Sequence, residues 1–401
     1  MDNFDVGIIG AGVAGAFAAL RIAERHKNVK TILFDVGRPP GKRRRQLEGW
    51  LGCFPGGDGK IYPGDADKVS ELIDGRKVRP TVQWVYSWLE KANSLNLKED
   101  KLPSVSFLNK IKDSGFNYSL NPHIQWKPSS IHQLSRVISN KIEDNNIFWS
   151  FDNEVYDVIK KRGRFLISSE KGDYSCKKII LCVGRTGWRW VTDLYKKFGI
   201  YTDDSLAEYG VMVEMPALHM KDLNKSHLSI NKDNLNIGPF SWSGSVIPED
   251  HADLVISSFR SNEDRWKSEK VYFSLLYSKY VEDEATKYTE RVAKLSYLLY
   301  NDRISREKIK NFRNKNSLLS LLPEYDWLHD KLEEIQAFIP NIMTNGYFHI
   351  PNIRPLAAGI RLGSNLESEI DDMFIAGESA KVSGILSAAI MGSVAADSAC
   401  K

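Results

Sequence analysis

The spacing of hydrophobic positions changes several times along the chain, and each change predicts an element. FDVGIIG (Phe4–Gly10) is a short apolar run, the pattern of a buried parallel strand. VAGAFAALRIAERH follows, alanine-rich and apolar at helical spacing. KTILFDVG (Lys30–Gly37) returns to the strand pattern, so the opening reads as a strand–helix–strand unit. Gly52–Gly64 is a glycine-rich loop, and Asp65–Asn96 reads as two helices around GRKVRP. A helical stretch, Ser130–Glu143, precedes another strand, NIFWSF (Asn146–Phe151). Short alternating strands then turn at Arg162-Gly163 and Lys171-Gly172 and end in an apolar strand closed by Gly184.

Period-two alternation in GVMVEM, ADLVISSF and KVYFSLLYSK predicts an antiparallel sheet across Tyr209–Ser278. Ala285–Leu332 reads as helical. Its stripe of Tyr288, Tyr297 and Tyr300 fits core packing better than a partner face. Near the end, MFIAGE is a short strand, and GILSAAIMGSVAADSA is a helix of small residues starting near Gly384.

The chain has 401 residues, enough for two domains or one domain with large insertions. Its formal net charge of +4 gives no strong case for nucleic acid, although Lys42–Arg45 is a local basic run. Its four cysteines, Cys53, Cys176, Cys182 and Cys400, form no CxxC pair, which removes the sequence signal for zinc or a thioredoxin-type couple. Cys53 and Cys182 read as small apolar fillers. No apolar run approaches the about 20 residues of a membrane span. A strand starting almost at the first residue leaves no room for a secretory leader. The expectation is a cytoplasmic protein without a membrane partner and with reduced thiols.

Gly10, Gly12 and Gly15 form GxGxxG between the first strand and the first helix. In that context Gly10 permits the turn, Gly12 lets a pyrophosphate approach the backbone, and Gly15 lets the helix pack closely. The helix N-terminus offers N–H groups to the phosphates. Asp35 lies 35 − 15 = 20 positions beyond the last glycine, where an acid accepts ribose hydroxyls. That acid disfavours NADP but does not separate NAD from FAD. The closing strand and helix favour a flavin, which has a second half to be held. Glu378 would take ribityl or pyrophosphate hydroxyls, and the helix starting at Gly384 would point at the pyrimidine edge.

Both ends of the chain resemble the glutathione-reductase-type FAD fold, which pairs an N-terminal GxGxxG with a C-terminal strand–Gly-Asp–helix motif. Glu378 stands where that family usually has Asp. A closer resemblance, to the bacterial FAD-dependent dehydrogenase group, rests on GCFPGGDGKIY, CVGRTGWRWVTDLYKKFGI, YGVMVEMP, GIRLGSNLES and the closing motif. The resemblance implies an α/β fold. A Rossmann-like FAD-binding domain with a parallel sheet and β-meander would span 1–204 and 345–401. An inserted antiparallel-sheet and helical substrate domain would span 205–344. Carried over residue by residue, it places Gly10, Gly12, Ala14, Gly15, Asp35, Val36, Arg44, Lys60, Val155, Gly184, Gly377, Glu378, Gly384 and Ile385 at the cofactor. Val155 would contact adenine and Arg44 the pyrophosphate.

Features of related enzymes are missing. No second GxGxxG follows a strand and there is no cysteine pair, so a pyridine-nucleotide-disulfide reductase is not indicated. GWRWVTD lacks the Ile-Pro of the flavin-halogenase signature WxWxIP. NAD(P)H or another electron partner would dock only transiently. The catalytic candidates are Arg361, Lys60 and His349. Arg361 would stabilise reduced flavin or grip a carboxylate, against a structural ion pair. Lys60 would sit near flavin N5 or the substrate, against a solvated loop cation. His349 would face the flavin, against a histidine satisfied by a carbonyl. No metal site is indicated. The expected activity is hydride transfer between a small organic substrate and flavin N5. The alternatives are a flavoprotein acting on or sensing RNA, and a non-redox flavin-dependent lyase or isomerase.

Overall fold

In the computed structural model, residues 2–43, 47–95, 101–143, 145–242, 244–251, 254–261, 269–282, 284–354 and 357–401 are described. The fold is α/β, with two compact units. Unit 1 comprises Met1–Leu97, His123–Asp204 and Leu356–Lys401; unit 2 comprises Lys98–Pro122 and Ser205–Pro355.

Unit 1 is built on a mixed seven-stranded sheet. Strand β1 (Asp2–Ile9) runs parallel to β2 (Thr31–Phe34) on one side and to Gly172–Leu181 on the other. Ile147–Ser150 extends the sheet beyond β2, and Met373–Ile375 pairs parallel with the far end of Gly172–Leu181. Val155–Lys161, Arg164–Ser169 and Gly172–Leu181 form the antiparallel meander. Alternation divides the sheet between two cores. Leu33 packs with the helices, while Ile32 and Phe34 pack on the meander side with Leu194 and Tyr195.

Helix α1 (Val13–Arg25) is buried from Val13 to Ala23, because the sheet covers one side of it and other helices the rest. Burial extends even to Arg21, which is 4% exposed. Its Nε and Nη2 donate to Asp397 at 2.9 and 2.7 Å, and its guanidinium lies 4.6 Å from the Trp84 ring centre. Asp397 belongs to the closing helix Ile385–Ala399, and His26 also lies 3.1 Å from its carboxylate.

Unit 2 holds an eight-stranded sheet. It runs Ser305–Lys308, Tyr347–Ile353, Leu206–Pro216, Lys270–Tyr280, Leu235–Ile237, Leu228–Lys232 and Asn117–Leu120, with Ser241–Trp242 also on Lys270–Tyr280. A hairpin, Gly244–His251 with Leu254–Ser261, accompanies it. Helix Ala285–Leu299 packs on this core; Tyr300 is inside it and Tyr288 against it.

Three sequence expectations change here. The region 345–354 lies in unit 2 rather than in unit 1, because Tyr347–Ile353 pairs antiparallel with Leu206–Pro216. Strand Asn117–Leu120 pairs with Leu228–Lys232, which draws Lys98–Pro122 into unit 2 as well. The helical reading of Ala285–Leu332 is interrupted by the edge strand Ser305–Lys308.

The Arg21–Asp397 pair joins elements from the two ends of the chain. Burial pushes the Asp397 carboxyl up, but hydrogen bonds from Arg21 and His26 outweigh it and hold it below its ordinary value of 3.8. Its contribution is therefore present above pH 3.8 and is lost as pH falls through the lower native value. Asp397→Ala leaves Arg21 buried without its carboxylate and should cost about 3 kcal/mol at pH 7 in urea unfolding. Equal stability of variant and wild type at that pH would contradict the assignment.

Candidate functional site

Four segments of unit 1 converge on the turn between β1 and α1. Gly10 turns there at φ 97°, a conformation open to glycine. Its N–H donates to Phe34 O at 2.9 Å, and a Cβ would stand 2.5 Å from Cys182 O. Gly15 is pressed on Gly10 itself: a Cβ there would meet Gly10 O at 1.8 Å. Gly12 differs, since a Cβ would have only Cys182 O nearby, at 3.9 Å. Gly12 also caps α1 with no side-chain hydrogen bond. The first-turn N–H groups of α1, which have no intrahelical acceptor, are thus left for a ligand.

The segment after β2 folds over this turn. Leu51 N donates to Ala11 O at 2.8 Å. Asp35 holds the two together: its Oδ2 accepts from Ala11 N at 2.7 Å, and its Oδ1 accepts from Gly37 N at 2.7 Å and Gly49 N at 2.8 Å. Burial pushes the Asp35 carboxyl up, against the lowering effect of those three backbone bonds. Val36 is 45% exposed. Arg44 lies outside the described residues. Its neighbour Arg43 donates to Trp50 O at 2.5 Å, and burial pulls its guanidinium below its ordinary value.

The end of strand Gly172–Leu181, with the residues that follow it, supplies the third segment and the closing motif the fourth. Cys182 N donates to Ile9 O, and Ala376 N to Leu181 O. A Cβ on Gly377 would stand 3.2 Å from the Ala14 Cβ, which places the closing motif on the first turn of α1. Glu378 reaches back to the third segment. Its Oε2 accepts from Arg185 N at 2.9 Å and its Oε1 from Arg185 Nη2 at 3.1 Å, while Gly184 lies beside the same carboxylate. Tyr195 OH donates to Ser379 O at 2.5 Å and Ser379 Oγ to Val183 O at 2.8 Å. Burial pushes the Cys182 thiol up, which fits a small apolar filler.

Ile385 opens the closing helix, partly buried, with Gly384 (φ 123°) before it. Gly392, further along, packs on α1 so closely that a Cβ would meet Ala14 O at 2.0 Å. Val155 is buried in the meander-side core, two residues after Asn153, whose N–H donates to Asp35 O.

The three catalytic candidates have different surroundings. Lys60 is 7% exposed, with Nζ 3.1 Å from Asp58 Oδ2, so it is a buried, paired lysine rather than a solvated one. Arg361 is exposed and stacks 5.1 Å from the Tyr201 ring centre, with no carboxylate partner among the described residues. His349 lies within unit 2, with Nε2 2.9 Å from Glu214 Oε2; a carboxylate, not a carbonyl, engages it. Glu214 also accepts from Lys270 Nζ at 2.7 Å and Arg306 Nη2 at 2.8 Å. Burial pushes the Glu214 carboxyl up, but its bonds from His349, Arg306 and Lys270 hold it well below the usual carboxylate range.

Sequence reading missed Arg185, Gly392 and Asp65. Arg185 follows the quoted Gly184 directly, and Gly392 is one of the small residues of the closing helix. Asp65 lies against Gly384, where a Cβ would stand 2.1 Å from its Oδ2, and burial pushes its carboxyl up. Nothing local in GDADK announces that contact. Among the described residues no group of acidic, histidine or cysteine side chains could hold a metal, and no helix is long and apolar enough to cross a membrane.

No protein-family model matches the chain, and no curated protein does. Among solved structures it is similar to glycine oxidase from Geobacillus kaustophilus, at 13% identity over 100% of this chain and 95% of that one, TM-score 0.44. It is also similar to a flavoprotein/dehydrogenase from Cytophaga hutchinsonii, at 11% identity over 100% and 78%, TM-score 0.44. CtdE in complex with FAD and substrate matches at 14% identity over 96% and 78%, TM-score 0.40.

The two kinds of glycine make a direct contrast. Gly15→Ala should destabilise the protein by about 2 kcal/mol or more, because backbone must move to admit the methyl group. With any bound ligand removed from both proteins, Gly12→Ala should unfold within about 0.5 kcal/mol of wild type, because its methyl group meets nothing closer than ordinary contact. Denaturant midpoints for the two variants would test this; equal losses would refute it.

Proposed function

We propose that the protein is a FAD-dependent oxidoreductase that binds FAD non-covalently and transfers a hydride between a small organic substrate and flavin N5. The observation that carries this reading is the convergence of the closing segment on the glycine turn, with Gly377 and Gly392 both against Ala14. A site for a bare nicotinamide dinucleotide has no need of that second segment. A flavin dinucleotide does, because its ring half must be held as well as its phosphates.

The residues fit that cofactor. The uncapped first turn of α1 and the room beside Gly12 suit a pyrophosphate. Asp35 has three of its roughly four acceptor sites engaged by backbone, which leaves about one for a ribose hydroxyl. Glu378, fixed by Arg185, is the acceptor for hydroxyls of the ribityl–pyrophosphate region. Val155 and Val36 would line the adenine end, and Gly184, Gly384 and Ile385 the ring end. When bound, FAD supplies the electron-pair chemistry, and the protein supplies orientation and electrostatics.

Of the candidate side chains, Arg361 is best placed to grip a carboxylate, since its guanidinium is exposed and not engaged by an acid among the described residues. Lys60 is held by Asp58 as a fixed cation, suited to orienting rather than to moving a proton. His349, braced by Glu214, is the acid–base candidate of unit 2.

Purified protein should release FAD on denaturation at close to one equivalent. Gly12→Ala should retain its fold and lose about tenfold or more of its flavin, because the methyl group takes the space a phosphate oxygen would use. A folded Gly12→Ala variant with full flavin would refute the site. Anaerobic mixing with amino or hydroxy acids should bleach the flavin absorbance if electrons move; persistent colour during turnover would favour lyase or isomerase chemistry.

A further inference from the structure

Unit 2 carries a surface that neither its own core nor the flavin reading uses. Helix Ala285–Leu299 packs on the sheet with Thr289, Val292, Ala293 and Ser296 buried. Its opposite side is exposed, and Lys287, Arg291, Lys294 and Leu298 recur along it at the four- and three-residue spacing of a single helix face. Leu295, four residues after Arg291, is exposed beside them. The turn Leu318–Leu321 is pinned to the end of this helix. Leu319 is buried there, and its N–H donates to Tyr300 OH at 3.1 Å and to Ser317 Oγ at 3.0 Å. That anchoring leaves Leu318 and Leu321 outside. Leu298 is 53% exposed and Leu321 67%.

Single exposed leucines are ordinary on a protein surface, but four on one helix and the turn packed against it form a patch. Charge is concentrated in the same place. From Lys287 to Leu321 the chain has nine Lys and Arg against three Asp and Glu, 9 − 3 = +6. The whole chain carries +4, so all the rest together carries 4 − 6 = −2. Not every charge of this stretch faces outward: Arg306 is engaged by Glu214, and Glu307 accepts from Ser317. Lys310, Arg313 and Lys315 are exposed on the approach to the leucine turn, with Arg313 4.0 Å from Glu333. Beyond Pro323 the sign changes, with Glu324 and Asp326, so the basic region has an edge.

The occupant of such a face has to accept apolar tips and cations at one level. A second copy of the chain, set face to face on it, would place cation against cation. The leucines stand out from the back of a helix and from a turn, and they are interspersed with Lys and Arg. A bilayer with acidic headgroups meets both demands, since leucine tips enter the acyl boundary while the cations stay with the phosphates. Such contact is peripheral and needs no spanning helix.

We propose that the outer face of helix Ala285–Leu299, with the turn Leu318–Leu321, is a docking surface for an anionic lipid bilayer. The proposal goes beyond the flavin reading and does not depend on it. The test is co-sedimentation of the purified full chain with vesicles of phosphatidylcholine alone, or of phosphatidylcholine with phosphatidylglycerol in equal parts. Wild type should bind the anionic vesicles about tenfold or more tightly than the neutral ones, and less tightly as salt is raised. Leu298→Ala with Leu321→Ala should weaken binding to the anionic vesicles by about tenfold or more. Arg291→Glu with Lys294→Glu should do the same through charge. All four side chains are exposed, so both double variants should keep the wild-type circular dichroism and melting temperature. Leucine variants that bind as wild type does would mean adsorption by charge alone and overturn the proposal, as would equal binding to the two kinds of vesicle. No sedimentation with the anionic vesicles also overturns it and leaves the face to an acidic protein.

Discussion

The close approach of backbone to backbone around Ala14 is the constraint on which the rest of unit 1 depends. Gly15 sits on the carbonyl of Gly10, and Gly392 on the carbonyl of Ala14, with no room for a methyl group in either place. Any larger residue would force the first helix off its turn or the last helix off the first. Hydrophobic burial supplies most of the stabilisation of these helices, but it is not directional. The missing side chains set the distance at which burial happens, and with it the geometry of the turn.

Polar contacts then fix what the steric fit allows. Asp35 joins the glycine turn to the segment after β2 through three backbone donors, and Glu378 joins the closing motif to the segment after Gly172–Leu181 through Arg185. Arg21 and Asp397 do the same at the far end of the helix pair. Each of these acids is engaged by groups from another segment, so a cofactor would meet carboxylates already held in place. Pre-organisation of that kind lowers the ordering cost of binding.

Much of this frame is legible in the sequence, because it follows local rules. An apolar run, GxGxxG, an alanine-rich helix and an acid at the end of the next strand suffice to place Gly10, Gly12, Gly15 and Asp35. The meander is announced by its glycine turns. What could not be read was register across large separations. Tyr347–Ile353 looked like the return to the nucleotide-binding unit, yet its pairing partner is Leu206–Pro216, a choice made by side-chain fit across a sheet. Lys60 read as a loop cation and is buried beside Asp58. His349 was weighed against a carbonyl partner, and a glutamate on a neighbouring strand engages it. Asp65 had no signal, since an aspartate at a helix start is ordinary and its contact with Gly384 is purely tertiary.

The three-part make-up of unit 1 bears on how a ribosome can deliver this protein. β1, α1 and β2 are made before unit 2, and the strand and helix that seal them only after it. Until then the apolar flank of α1, which Met391, Val394 and Ala395 help to cover, lacks its final neighbour. Unit 2 has all of its own strands available earlier, so it can condense while unit 1 waits. Between those two points of synthesis the nascent chain carries a helix whose apolar face is incompletely covered, a surface that chaperones can shield.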